Sequence, residues 1–443
     1  MKKLPVFLSV MMLIIAVSAC AAANTVGSFF YNDRAQFEVD GKYGYIDRTG
    51  KIVIPAQWDY AEPFYHLNHI RAAVFRRTSP TEGEYAVIDR DGNIVLDYKK
   101  CDRIDPEAFY GQYILVHYKQ DDGQYVEVYT SDGKLVNTSK WISAKTAGEQ
   151  YICVQDETGL FGYRDLDKGF MIPCQYIEAH GFTNGLALVK GKNAKGEDTF
   201  FYINRMGENV ISGDWDYAGD FSMDGYAAVF KGALSDQGLP FEGKYAFIDM
   251  EGRLICDYIW DEAHAFEEGL APVASVDIHG NKKWGFMDAD GKLLNDEYWD
   301  QVEAFHAGVA VVFIKRADSE DGQYGFIDQS GAYISVPQWD EAENMREGYA
   351  VVGKKDTSGK VYKGLINLEG ELVIETIWDD LKQLYDSNLT VVSKDGKWGA
   401  VNEYGDIVIP VKWDRAFFIS EGVATVWEGE EWYIIDTDGN IIF

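Results

Sequence analysis

The chain has 443 residues, of which 47% are hydrophobic and 14% aromatic, enough apolar material for an extensive core. Its formal net charge of −31 opposes contact with phosphate-rich surfaces, so no nucleic acid partner is expected and lipid headgroups are disfavoured. The acidic residues are spread along the chain rather than run together, which is the pattern of a solvated surface.

At the N-terminus, Lys2 and Lys3 precede an apolar run from Leu4 to Val17. That run is too short to span a bilayer and is flanked as a secretory signal is. Val17-Ser18-Ala19-Cys20 resembles a bacterial lipobox, which implies removal of residues 1–19 and lipid attachment at Cys20. Residues 20–34 then form a short linker with a reach of roughly 50 Å, and the lipid is the sole membrane anchor. The competing reading is an ordinary secretory signal cleaved near Ala21–Ala23. Both place the mature chain outside the cytoplasm, and the first places it at a bacterial cell membrane or cell surface. Cys101, Cys153, Cys174 and Cys256 show no CxxC spacing, which argues against zinc. Whether they form disulfides stays open, although Cys101 reads as a small buried hydrophobe.

From residue 35 to 443 one interval dominates. An Asp or Asn closing an aromatic-rich stretch is followed, twelve residues later, by the Asp of a Trp-Asp pair. Asp47 leads to Asp59, Asn204 to Asp216, Asp249 to Asp261, Asp288 to Asp300, Asp328 to Asp340, Asn367 to Asp379 and Asn402 to Asp414. Trp58, Trp215, Trp260, Trp299, Trp339, Trp378 and Trp413 therefore share one slot, and a period near forty residues marks one supersecondary unit copied in tandem.

Each copy reads as short antiparallel strands. In one, Leu270–Val273 is followed by a polar connection, then by the strand Trp284–Asp288, the turn Ala289-Asp290-Gly291-Lys292 and a return at Leu293-Leu294. Eleven turn glycines, from Gly50 to Gly439, set the register, giving ten complete units and a truncated eleventh. The copies at about 125–180 are eroded, and that stretch is expected to be a joint or a cap. A lone hairpin is marginal in water, so each unit must bury aromatics on its neighbours. The repeated tryptophans are thus expected to be packing residues, and each adjacent Asp to satisfy backbone donors or the indole N–H.

These residues resemble the bacterial WG-repeat family. Trp284-Gly285 and Trp398-Gly399 match its name motif, Val53-Ile54-Pro55 and Val408-Ile409-Pro410 its middle, and Gly269-Leu270-Ala271 and Gly422-Val423-Ala424 its end. The resemblance implies a β-rich repeat array and supplies no catalytic motif. A fainter similarity, at Trp432-Tyr433-Ile434-Ile435-Asp436, is to the repeats of cell-wall choline-binding modules.

The expected fold is all-β: ten or eleven β-hairpin repeats in an elongated, curved array, with one or two closed β-propellers as the alternative. Asp89, Asp288 and Asp436 open Asp-x-Asp-Gly sequences that begin like calcium loops, but none reaches a twelfth-position Glu, so they read as turns. Asp261-Glu262, Asp340-Glu341 and Asp379-Asp380 pair carboxylates, yet they recur, whereas an active site is a singular departure. His66 and His69 are the histidines that lie close together in sequence. No catalytic residue, metal or cofactor is assigned. The expected function is a non-enzymatic binding or scaffolding lipoprotein of the cell envelope, engaging protein. A module that stacks cell-wall glycan on exposed aromatics is the alternative, and a glycoside hydrolase is the remote one. Specificity is expected where the interval fails, around 125–180 and in the longer loops at 76–84, 233–243 and 316–323.

Overall fold

The computed structural model describes residues 25–26, 30–64, 70–108, 112–120, 123–137, 139–193, 195–295, 297–316, 321–383, 389–416 and 421–442. The signal segment, Cys20, His66 and His69 lie outside these. The described residues form strands and turns, with no helix among them. They make eleven antiparallel sheets at 25–58, 60–99, 103–141, 143–176, 178–212, 217–260, 262–299, 301–339, 341–378, 380–413 and 415–441, here called blades 1 to 11. Seven have four full strands. In blades 3, 6, 7 and 11 the fourth is reduced to bridges such as Tyr129–Leu135, Ile248–Leu254, Met287–Leu293 and Ile435–Ile441.

The repeat read from sequence is therefore out of phase with the structural unit. A blade begins just after the Trp-Asp pair and ends at the next tryptophan. The polar connection after Val273 is a continuous hairpin, because strand Leu270–Val276 pairs with Lys282–Asp288 throughout.

The chain is an eleven-bladed β-propeller, not an elongated array with free ends. It divides into two compact units, one holding residues up to 143 with 379–443, the other 144–378. In the first unit blades 1 and 11 meet. Phe30, Phe37 and Ile46 of blade 1 share a buried cluster with Val423 and Ile434 of blade 11. The Asp33 amide donates to the Glu421 carboxylate at 2.6 Å, and the Arg48 side chain donates to the Glu421 carbonyl at 3.0 Å. Asp33 in turn ion-pairs with Arg34, Arg48 and Arg90. An open array leaves two apolar end faces that need caps, whereas docking blade 11 on blade 1 buries both.

Inside each unit the core is divided among neighbours. In the second unit, Leu188 and Tyr202 of blade 5 join Val229 and Ala246 of blade 6, and Val311 and Phe326 of blade 8 join Val352 and Ile366 of blade 9. In the first, Val391 and Ala400 of blade 10 join Ala424 and Ile435 of blade 11. The boundary between the compact units, at 143/144, falls within the eroded stretch at 125–180, in line with a joint there. Its backbone nonetheless forms sheets like the others, the second half of blade 3 and all of blade 4.

Candidate functional site: blade junctions and the grooves between them

Every repeated residue type has a fixed place in the junction between blades. The tryptophans end the fourth strand or its bridge, except Trp215, which lies past the end of its strand at Ser212. Trp299 is 1% exposed and Trp413 2%, Trp58, Trp260, Trp339 and Trp378 are also buried, and Trp215 is half-buried. Trp141, which lacks a following Asp, occupies the same slot in blade 3 opposite Val126 and is buried too. Its missing Asp hid it from the interval.

Trp58, Trp215 and Trp299 each sit in an aromatic trio. Tyr45 contacts Trp58 and Phe64 with ring centroids 6.4 and 4.7 Å apart, and Phe286 contacts Trp299 and Phe305 at 5.8 and 4.8 Å. The third ring belongs to the next blade, so edge-to-face packing crosses the junction. Where the middle ring is a tyrosine, its hydroxyl also donates across. Tyr45 reaches the Glu62 carbonyl at 2.5 Å, Tyr163 the His180 carbonyl at 2.7 Å and Tyr202 the Gly219 carbonyl at 2.7 Å.

The Asp after the tryptophan clamps two blades. Its own amide donates to the second strand of the next blade, as Asp59 to Phe75 and Asp300 to Phe313, both at 2.9 Å. Its carboxylate then accepts a backbone N–H further along that strand: Arg77 to Asp59 at 2.7 Å, Val276 to Asp261 at 2.9 Å, Lys315 to Asp300 at 2.8 Å. In four of the junctions a lysine from the preceding blade completes the clamp, Lys42 at 2.8 Å on Asp59, Lys244 and Lys283 at 2.7 Å on Asp261 and Asp300, and Lys397 on Asp414. The indole N–H goes elsewhere, from Trp58 to the Tyr98 hydroxyl and from Trp299 to the Tyr333 hydroxyl, both at 3.1 Å.

These bonds set the carboxyl acidities. In Asp59 the Arg77 amide and then Lys42 pull the pKa below the usual carboxylate value. Asp414 is lowered by the Gly429 amide and Lys397. In Asp261 and Asp300 burial alone would raise it, but the lysine and the amide together outweigh that, and the pKa is lowered. A depressed folded pKa gives stability that is present above the unfolded value, roughly 3.9, and is lost as pH falls through the folded one. The thermal midpoint is expected to drop between pH 5 and pH 3. That drop should shrink in the quadruple variant Asp59→Asn, Asp261→Asn, Asp300→Asn, Asp414→Asn; an identical drop in calorimetry would show that other groups govern acid unfolding.

The glycine after the third-strand aromatic is the feature whose reason the sequence did not disclose. Complete fourth strands that end in a tryptophan bulge: Tyr43 faces Trp58 and Tyr45 faces Ile54, four residues set against two, and the strands ending at Trp339, Trp378 and Trp413 do likewise. The bulge presses backbone onto the glycine. A Cβ at Gly44 would stand 2.5 Å from the Ile54 carbonyl oxygen, and one at Gly364 or Gly399 equally close to Ile374 or Ile409. Gly285, whose fourth strand is only bridged, meets nothing nearer than the Leu293 side chain at 3.2 Å.

The sequences that resemble calcium loops are turns. Asp89 accepts the amides of Asp91 and Asn93 at 3.0 and 2.8 Å, Asp288 those of Asp290 and Lys292 at 3.0 and 2.9 Å, and Asp436 those of Asp438 and Asn440 at 3.0 and 2.8 Å. Among the described residues no group of three or more His, Cys, Asp or Glu is placed to hold a metal. The paired carboxylates are divided: Asp261 belongs to its clamp, Glu262 pairs with Lys282, and Asp340 accepts the Lys355 amide at 2.8 Å. Cys101, Cys153, Cys174 and Cys256 are free thiols. Burial pushes Cys101 and Cys153 up to about 12, far from thiolate chemistry.

Grooves open at the junctions. One lies between blades 8 and 9, about 260 Å³, lined by Tyr324, Asp340, Glu341 and Lys363. Another lies between blades 6 and 7, about 240 Å³, lined by Phe241, Tyr245, Asp261 and His264. The third, between blades 2 and 3, reaches about 700 Å³.

Repeated blades joined by Trp-Asp clamps define a repeat β-propeller. The WG containing repeat family matches residues 43–72, 161–195, 200–234, 245–274, 324–357, 364–398 and 398–432, together more than half of the chain, and the protein belongs to that family. No curated protein matches as a relative. Among solved structures, a eukaryotic initiation factor is similar at 11% identity and a TM-score of 0.41, covering 77% of this chain and 95% of that one. Sqt1 of Saccharomyces cerevisiae aligns at 11% identity and 0.30, over 68% and 93%. A putative TolB from Agrobacterium tumefaciens aligns at 13% and 0.25, over 45% and 82%. Likenesses this distant carry no functional argument.

Proposed function

We propose that this protein is a non-catalytic scaffold that binds protein partners through its hairpin tips, held outside the cytoplasm by a lipid on Cys20. The observation that carries the reading is a division of labour. The recurring charged groups are bonded to neighbouring blades, while apolar side chains stand out where hairpins depart from the repeat. Leu239 and Phe241, in the long 233–243 hairpin of blade 6, are 53% and 77% exposed, and Ile278 in the next hairpin is 96% exposed. Exposed aromatic and aliphatic anchors on a rigid frame are what protein recognition uses. The glycan reading relied on solvent-facing Tyr and Trp; with most of the repeated indoles buried, it loses its main support.

Two measurements test the proposal. Replacing 235–239 by a two-residue Asn-Gly turn should remove site-specific photo-crosslinks from position 241 in cells and leave the melting midpoint within a few degrees. An unchanged crosslink pattern would retire this hairpin as the contact. Cys20→Ala should move the protein from the detergent to the aqueous phase in a cloud-point partition; retention in the detergent phase would refute lipid attachment.

A further inference from the structure

The three grooves occupy one position in the repeat, and one of them is unlike the others. Each is lined by the third-strand tyrosine (Tyr85, Tyr245 or Tyr324) and by the Asp that follows the tryptophan slot (Asp102, Asp261 or Asp340). Between blades 2 and 3, however, the tryptophan slot holds Cys101. The clamp shows it: the Asp102 amide donates to the His117 carbonyl at 2.9 Å, as Asp59 does to Phe75 and Asp300 to Phe313. By strand pairing it is Lys99 that faces Tyr85 as Trp58 faces Tyr43, so Cys101 precedes its Asp as the tryptophans do but stands two residues past the pairing, where it lines the groove wall. A cysteine leaves part of an indole's space unfilled, and this groove is about 700 Å³ against about 260 and 240 Å³ for the other two. That falls in the range of small-molecule sites.

Its walls also differ in kind. Phe75 and Tyr85 pack with centroids 4.8 Å apart. Tyr118 stacks on Tyr125 at 4.5 Å and 7°, and its hydroxyl is held by Glu127 at 2.7 Å, so the ring is fixed. Arg77, Lys100 and Lys119 face the same space as Glu82 and Asp102, and Lys100 is paired with Glu82 at 2.9 Å. The Arg77 amide, not its guanidinium, serves the Asp59 clamp. In the other two grooves the acidic groups predominate. In a chain of net charge −31, long-range attraction will not draw in an anion, so local cations must hold one.

We propose that this groove binds a small aromatic carboxylate: a ring of indole or phenol size, seated where the tryptophan is missing, with its anionic group toward Arg77 and Lys119. Fixed aromatic walls favour offset or edge-to-face packing of a planar ring, and a guanidinium is the preferred partner of a carboxylate. The inference does not depend on the scaffold reading, since the hairpin tips of blades 6 and 7 play no part in it.

Titration calorimetry of the full chain with indole-3-acetate tests it. Wild type should bind one equivalent. Indole-3-acetamide and acetate, which lack the charge or the ring, should each bind at least about tenfold more weakly, a loss near 1.4 kcal/mol. A short peptide ending in a free C-terminal Trp tells a peptide terminus from a free metabolite as the source of this chemistry; either binder supports the site. Cys101→Trp, which supplies the residue that eight other blades carry in this slot, should abolish binding and keep or raise the melting midpoint. The double variant Arg77→Gln, Lys119→Gln should remove the preference for acetate over acetamide and leaves the groove walls intact should the first variant fold poorly. No binding by wild type, equal binding of acid and amide, or unchanged binding in a folded Cys101→Trp protein would each overturn the proposal.

Discussion

Trp299→Ala is expected to destabilise the unit formed by residues 144–378 by about 3–5 kcal/mol, the usual cost of removing a large aromatic from a core that cannot collapse around the space. Trp299 is 1% exposed, packs edge-to-face on Phe286, and spends its indole N–H on Tyr333 in the next blade. Its loss therefore removes packing inside blade 7 and a hydrogen bond to blade 8 together. Trp215→Ala, in the same unit, should cost less than half as much. That indole is half-buried and bonds only the Phe200 carbonyl of its own blade, at 3.1 Å. Urea unfolding followed by circular dichroism compares the two, and equal midpoint shifts would show that burial at the junction does not set the contribution.

The second large effect comes from adding a single methyl group. Gly364→Ala should destabilise by roughly 2–3 kcal/mol, at the upper end of overpacking costs, because the new Cβ meets the Ile374 carbonyl oxygen at 2.5 Å and Thr376 Cγ2 at 2.8 Å. The backbone oxygen cannot swing aside without unmaking the bulge that brings Trp378 opposite Lys363. Gly285→Ala in the same unit is the control. Its nearest neighbour is the tip of the Leu293 side chain at 3.2 Å, which a rotamer change can accommodate, and its midpoint should move little. If the two variants lose stability equally, glycine is kept at this slot for chain flexibility and not for the close approach of the fourth strand.

Both predictions concern residues the repeat makes conspicuous, yet sequence accounted for only one of them. That the tryptophan slot is a packing position follows from recurrence and from the size of an indole. The glycine was visible as part of a motif, but its purpose lies in a bulge of a strand ten residues away, and a bulge is a property of pairing. Trp141 was missed because the slot was defined through its Asp, whereas the fold places it through Val126. Cys101 aligns with the tryptophans through the Asp that follows it, but nothing local indicated that the change leaves a groove: that depends on Phe75, Tyr85 and Tyr118 standing around it.

The expectation of an open array failed for a related reason. Period, hairpins and strand patterning are local, and an open stack and a closed ring of blades satisfy them equally. What separates them is whether the last apolar face finds the first. Here Val423 and Ile434 are buried with Phe37 and Ile46, and Asp33 and Arg48 are bonded to Glu421, contacts between residues almost four hundred positions apart. Sequence by itself determined the all-β class, the repeat, the tryptophan slot and the turn chemistry, because each depends on residues within one period. Tertiary structure alone decided closure, the partners of each clamp Asp, and which junction holds the wide groove, because burial and partnership are set by surfaces that meet only once the blades have packed.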